Sequence, residues 1–136
     1  MQVLQFLRER ILSLPLSEHK IQAGFPSPAE DYMDNKLDLN SHLITNPNST
    51  FFVRVIGDSM INAGIIEGSL LVVDKSIRPT NNKIVIAIVN EEFTVKRFKI
   101  VDGKFTLVAE NPNYTNIALD ENLHIWGVVT AVINKL

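Results

Sequence analysis

From residue 50 onward the sequence falls into six short runs rich in β-branched and aromatic residues, 50–56, 69–74, 83–90, 93–101, 104–109 and 125–133, parted by residues that favour turns. Short strands at regular spacing cannot satisfy their backbone groups alone, so runs of this kind pair into a barrel or a folded sheet. Two of the separators say which neighbours pair. Asp102-Gly103 joins the fourth run to the fifth as a two-residue hairpin turn, and Val89-Asn90-Glu91-Glu92-Phe93 reads as a second hairpin. The run 93–101 alternates, which puts Phe93, Val95, Arg97 and Lys99 on one face and Thr94, Lys96, Phe98 and Ile100 on the other.

The first third of the chain has a different texture. Val3, Leu4, Phe6, Leu7, Ile11, Leu12 and Leu14 are spaced roughly as in a helix and Pro15 halts the pattern, so a short helix or a clinging arm is expected, with no clear period from Pro15 to Ala23. The two prolines of Gly24-Phe25-Pro26-Ser27-Pro28 favour extended backbone, as in an exposed linker. Ser27-Pro28-Ala29-Glu30 then reads as a helix start, with an N-cap serine, proline at the first helical position and glutamate three after the cap. Leu37, Leu39, Leu43 and Ile44 predict another short helix, ended by Asn46-Pro47-Asn48. The expected organisation is an arm over residues 1–27 and one domain over residues 28–136, with no room for a helix-turn-helix ahead of residue 28.

Composition narrows the chemistry. A chain of 136 residues that is 46% hydrophobic can bury a core, and a net charge of -2 gives no bulk attraction to nucleic acid or anionic lipid. Direct sequence-specific DNA binding is therefore not expected. There is no cysteine, which excludes thiolate catalysis and disulfides and suits a reducing compartment. The aliphatic run Ile84 to Val89 is far short of the roughly 20 residues of a membrane span, and Arg8, Glu9 and Arg10 interrupt the start as they would not in a signal peptide. A soluble cytoplasmic protein is expected. His19, His42 and His124 are isolated, so neither a metal site nor another cofactor is predicted.

Gly57-Asp58-Ser59-Met60 follows directly on the first β run. A serine where a strand ends in a glycine-led turn has an exposed hydroxyl with backbone amides beside it, which suits nucleophilic attack, although Gly-Asp-Ser is also an ordinary turn sequence. A base is needed to tell the two apart. Lys96 shares its face with Phe98 and Ile100; it either snorkels to water at a rim or is buried, and burial disfavours the ammonium so that the amine can take a serine proton. The residues alone leave both readings open.

Gly24-Phe25-Pro26-Ser27-Pro28-Ala29, Leu37-Asp38-Leu39-Asn40, Gly57-Asp58-Ser59-Met60, Leu70-Leu71-Val72-Val73-Asp74 and Glu92-Phe93-Thr94-Val95-Lys96 together resemble the LexA/UmuD family of self-cleaving proteins, from about residue 21 to the C-terminus. The resemblance implies a mainly β catalytic domain of small, highly curved sheets with short helices and an extended N-terminal arm. It also implies Ser59 as nucleophile, Lys96 as general base, the backbone amides of Asp58 and Ser59 as oxyanion donors, and self-cleavage at Ala23-Gly24. At such a bond Ala23 fits a narrow pocket and Gly24 lets the backbone come close. The partners implied are a second copy in a homodimer, a UmuC-type translesion polymerase and a RecA filament on single-stranded DNA that stimulates cleavage in the SOS response. The competing readings are a repressor-like regulatory module without a DNA-binding domain and a signal-peptidase-like enzyme, which would need a membrane anchor. Asn111-Pro112-Asn113-Tyr114 reads as a turn after a strand, and Trp126 as core or dimer packing.

Overall fold

The computed structural model describes residues 12–18, 20–25, 35–118 and 123–136. The chain divides into two compact units, Met1–Thr45 and Asn46–Leu136. In the first, β1 (Leu14–Leu16) pairs antiparallel with β2 (Asn35–Leu37), Pro15 lying opposite Lys36. This corrects the reading of Leu14 as part of a helical spacing and gives a strand at Pro15, where the sequence has no clear period. Both strands of a two-stranded ribbon are edges, so a proline that lacks an N–H is tolerated there. The expected short helix is α1 (Leu39–Leu43); the Asp38 carboxylate caps it, accepting from the Asn40 amide at 3.1 Å and from the Ser41 hydroxyl at 2.9 Å. The helix start expected at Ser27 and the apolar pattern up to Ile11 lie outside the described residues.

The second unit is one antiparallel seven-stranded sheet, and the chain is mainly β as the sequence predicts. Its strands are β3 (Thr50–Arg54), β4 (Leu70–Asp74), β5 (Ile84–Val89), β6 (Glu92–Val101), β7 (Lys104–Val108), β8 (Ile117–Ala118) and β9 (Leu123–Ile133), in the spatial order β3-β4-β9-β5-β6-β7-β8. All six predicted runs are strands; the two-residue β8 had no run to mark it. Both hairpin turns form, with φ of 48° and 68° at Asn90 and Glu91 and of 50° and 74° at Asp102 and Gly103, the pair of positive values that a twisted two-residue hairpin requires. No helix among the described residues is long and apolar enough to cross a membrane.

Strands β4 and β5 are packed on both faces, which is why they read as unbroken apolar runs rather than alternating ones. Leu71, Val73 and Ile86 cluster with Val55, Met60 and Ile65, whereas Val85, Ala87 and Val128 cluster with Phe98, Leu107 and Leu123. Asp74 ends β4 as a buried carboxylate; it accepts from Asn46 Nδ2 at 2.8 Å, the Ser49 hydroxyl at 2.7 Å and both the amide and the hydroxyl of Ser76 at 2.8 and 2.7 Å. Those bonds tie the start of β3 to the end of β4 and hold the Asp74 carboxyl well below the usual carboxylate range, Asn46 contributing most.

Strand β9 carries two register shifts. Its pairing with β4 steps from Val129 to Ala131 and its pairing with β5 from Ile125 to Gly127, so Thr130 and Trp126 are the extra residues. An extra residue bends its strand and sharpens the local twist. Because β9 lies among the interior strands, the bends curl the sheet, and β3 and the first half of β6, which are not neighbours in the sheet, line a common cleft. Beside the second bulge Gly127 leaves no room for a side chain, since a Cβ there would sit 2.6 Å from Val73 Cγ1.

Candidate active site

The loop between β3 and β4 carries Ser59. The β3–β4 ladder runs on past the strands through Val55 N–H to Ser69 O at 3.0 Å and Gly68 N–H to Val55 O at 2.8 Å, which closes the base of the loop. The chain then turns at Gly57, whose φ of +91° suits glycine, and passes through a 3-10 turn at Ile61–Ala63. Met60 and Ile65, each 1% exposed, plug the loop into the core on either side of that turn. Ser59 is thus on a short, anchored segment with its side chain half-buried.

Lys96 comes from β6, opposite the buried Val85, and is only 7% exposed. Of the two readings of this lysine, rim and interior, the structure gives the interior one. Its Nζ lies 2.9 Å from Ser59 Oγ, 2.9 Å from Thr94 Oγ1 and 3.0 Å from the Val95 carbonyl, with the Tyr114 ring centroid 6.0 Å away. Burial pushes the amine below the ordinary lysine range. A hydroxyl and an amine of lowered basicity at this distance can exchange a proton directly.

A second loop grips the first. Asn111, 8% exposed, donates from Nδ2 to the Asp58 carbonyl at 3.0 Å, and the Tyr114 hydroxyl donates to Asp58 Oδ1 at 2.6 Å. The hydrogen bond and the charge of Asp58 hold the Tyr114 phenol above its ordinary value. The Glu110 amide reaches Met60 Sδ at 3.4 Å, the Glu110 carbonyl accepts from the Asn62 amide at 2.9 Å, and Arg97 of β6 pairs with the Glu110 carboxylate. Residues 111–114 are indeed a turn, closed by the Tyr114 amide on the Asn111 carbonyl at 3.1 Å, but they also clamp the serine loop. Reading along the chain missed this, because the partners lie 53 and 56 residues apart and no local pattern links them. Among the described residues the amides of Asp58 and Ser59 donate to no protein group.

Ser59 also lines an apolar cleft of about 500 Å³, bounded by Phe52 to Ile56 on one side and Phe93 to Val95 on the other, with Leu71, Ile86 and Trp126 between them. Trp126 holds Phe51 and Phe93, its ring centroid 5.4 and 5.6 Å from theirs, so it packs in the wall of the cleft. Among the described residues both sides offer unpaired backbone: β3 is an edge strand, and β7 pairs with β6 only from Arg97 onward, leaving the Glu92 to Lys96 half with one open side. Ser59, Lys96 and Asp58 therefore come together in the second unit; Ala23 and Gly24 belong to the first, where both are exposed in a bend.

Residues 15–130 match the Peptidase S24-like family. The chain is 49% identical over 121 residues to Protein SamA of Salmonella typhimurium, covering 89% of this chain and 85% of that protein. It is 46% identical over 122 residues to Protein ImpA of Escherichia coli, covering 89% and 83%, and 38% identical over 130 residues to the LexA repressor of Shewanella sediminis, covering 93% and 62%. The resemblance read from the sequence blocks is borne out by these matches.

Proposed function

The chain belongs to the S24-like peptidase family, and from that premise we propose that it is a serine self-peptidase whose substrate is its own Ala23-Gly24 bond. The observation that carries this reading is the 2.9 Å contact between Ser59 Oγ and the buried Lys96 Nζ. With Lys96 neutral, Ser59 Oγ attacks the Ala23 carbonyl carbon as its proton passes to Nζ, and the amides of Asp58 and Ser59 receive the oxyanion. Collapse breaks the Ala23-Gly24 C–N bond, and the Lys96 ammonium gives its proton to the departing Gly24 amine. Water, giving a proton to the now neutral Lys96 amine, then attacks the Ala23 ester carbonyl, and the Lys96 ammonium returns that proton to Ser59 Oγ as the ester C–O bond breaks.

Drawn out from its bend into an extended form, segment 21–25 can bond to the open side of β3 or of β6 while it lies in the cleft. About 35 residues of tether place the bond near the nucleophile at an effective concentration of roughly millimolar order, so little dedicated affinity is needed. In this reading residues 1–27 are a cleavable arm and residues 28–136 the peptidase domain.

The test is the mass of the purified protein over time at about pH 10, where a larger share of Lys96 is neutral. Residues 1–23 should be lost from the wild type and retained in Ser59→Ala and Lys96→Ala. A wild type that stays intact, or either variant cutting as fast, refutes the mechanism.

The resemblance to the LexA/UmuD family supports a further step: the trimmed homodimer serves SOS mutagenesis as accessory subunit of a UmuC-type error-prone polymerase, with a RecA filament on single-stranded DNA stimulating the cut. Co-purification with such a polymerase before and after cleavage tests it. Binding by neither form favours the second reading, a repressor-like regulatory module, to which the likeness to a LexA repressor lends weight.

A further inference from the structure

The Ser59 loop is held not only through its apolar plugs but also through one particular peptide group. Asn111 Nδ2 donates at 3.0 Å to the carbonyl of Asp58, the carbonyl of the same peptide unit whose N–H belongs to Ser59. A trans peptide is planar, with its C=O and N–H pointing in opposite directions, so fixing the oxygen fixes the direction of the Ser59 N–H. A hydrogen bond accepted by the carbonyl also polarises the unit and strengthens its N–H as a donor.

The amide that does this is itself fixed. Asn111 is 8% exposed, and its Oδ1 accepts from the Asn113 amide at 3.0 Å, which leaves Nδ2 facing Asp58. Tyr114 restrains the same residue from its side chain, through the 2.6 Å bond to Asp58 Oδ1. The Ser59 N–H that results donates to no protein group among the described residues.

We infer that Asn111 is a positioning residue for the self-cleavage reaction, holding the Asp58-Ser59 peptide so that the Ser59 N–H is presented to the carbonyl oxygen under attack. The inference rests on the self-peptidase reading. It assigns Asn111 no part in proton transfer, and this separates its role from that of Lys96.

The test is the pH profile of self-cleavage for the full chain and for Asn111→Leu, which keeps the size and adds no charge but loses the donor. Removing one oxyanion donor costs on the order of 10²-fold in rate, and the plateau rate at alkaline pH is expected to fall by about 10- to 100-fold with the midpoint of the profile unmoved. Asn111→Ala, read in the same way, decides the matter should Asn111→Leu not fold. A plateau within about threefold of wild type overturns the assignment, as does a fall that comes with a shifted midpoint, since that would place the effect on Lys96. If the wild type itself stays intact, the self-peptidase reading falls and this inference with it. If the wild type cuts and Asn111→Leu cuts as fast, only the role of Asn111 falls.

Discussion

Replacing Gly127 by alanine adds one methyl group at the most crowded backbone of the sheet. The new Cβ would stand 2.6 Å from Val73 Cγ1, against about 3.5–4.0 Å for a relaxed carbon contact, so one of the two must move by about 1 Å. Val73 cannot yield easily: it is fully buried, stiff about χ1, and packed with Leu71, Ile86, Met60 and Ile65. Overpacking of this kind costs about 1–3 kcal/mol, and the loss of glycine freedom in the unfolded chain offsets about 0.4–1 kcal/mol of it. The net loss of about 1–2 kcal/mol should lower the melting temperature of a unit this size by about 5–10 °C, read by circular dichroism. Adding Val73→Ala reopens the space, so the double variant should be less destabilised than the two single changes added together, by about 0.5 kcal/mol or more. If Gly127→Ala melts at or above the wild-type temperature, or if the two changes simply add, Val73 and β9 do not meet as described.

Further outcomes follow from the charges and the arm. Burial desolvates the Lys96 ammonium, a cost that lowers its folded pKa; that cost is present below the folded value and is lost as pH rises toward the unfolded value of about 10.4. Wild type should therefore gain stability relative to Lys96→Met as pH is raised from neutral, in urea midpoints; a gap independent of pH refutes the burial. For Asp74 the sign is opposite: its folded pKa is depressed, so its contribution is present above the unfolded value of about 3.9 and is lost as pH falls toward the folded one. The melting-temperature deficit of Asp74→Asn should be widest above about pH 5 and shrink toward about pH 2, and a constant deficit counts against the hydrogen-bonded carboxylate. Ala23→Leu should abolish self-cleavage at about pH 10 without lowering the melting temperature, followed by mass and by thermal melt; cleavage at the wild-type rate rules Ala23 out of a narrow pocket.

The parts of this fold that could be read from the sequence are those written in neighbouring residues. Asp102-Gly103 announces its hairpin because few residue pairs accept positive φ at both positions, and the spacing of Leu37, Leu39, Leu43 and Ile44 announces α1. Strand β1 could not be read: Leu14-Pro15-Leu16 has no pattern of its own and becomes a strand only by finding Asn35–Leu37. The alternation along β6 placed Lys96 on the face of Phe98, yet its burial depends on what covers it, the Ser59 loop 37 residues away and Tyr114, which no local pattern marks. The clamp of Asn111 and Tyr114 on Asp58 was hidden for the same reason, since a turn sequence tells nothing about what its side chains will meet across the fold.

The three oxygens around Lys96 Nζ have a consequence for timing. An ammonium has three protons to donate and no lone pair, and Ser59 Oγ, Thr94 Oγ1 and the Val95 carbonyl match that number. When protonated, the lysine donates to the serine it is proposed to deprotonate, so that form is fully bonded and cannot act as the base. Losing one proton reverses the Ser59 bond, and the serine then donates to nitrogen. Under the proposed self-cleavage, which each chain can perform only once, the protonated form leaves the chain intact and the loss of a single proton arms it.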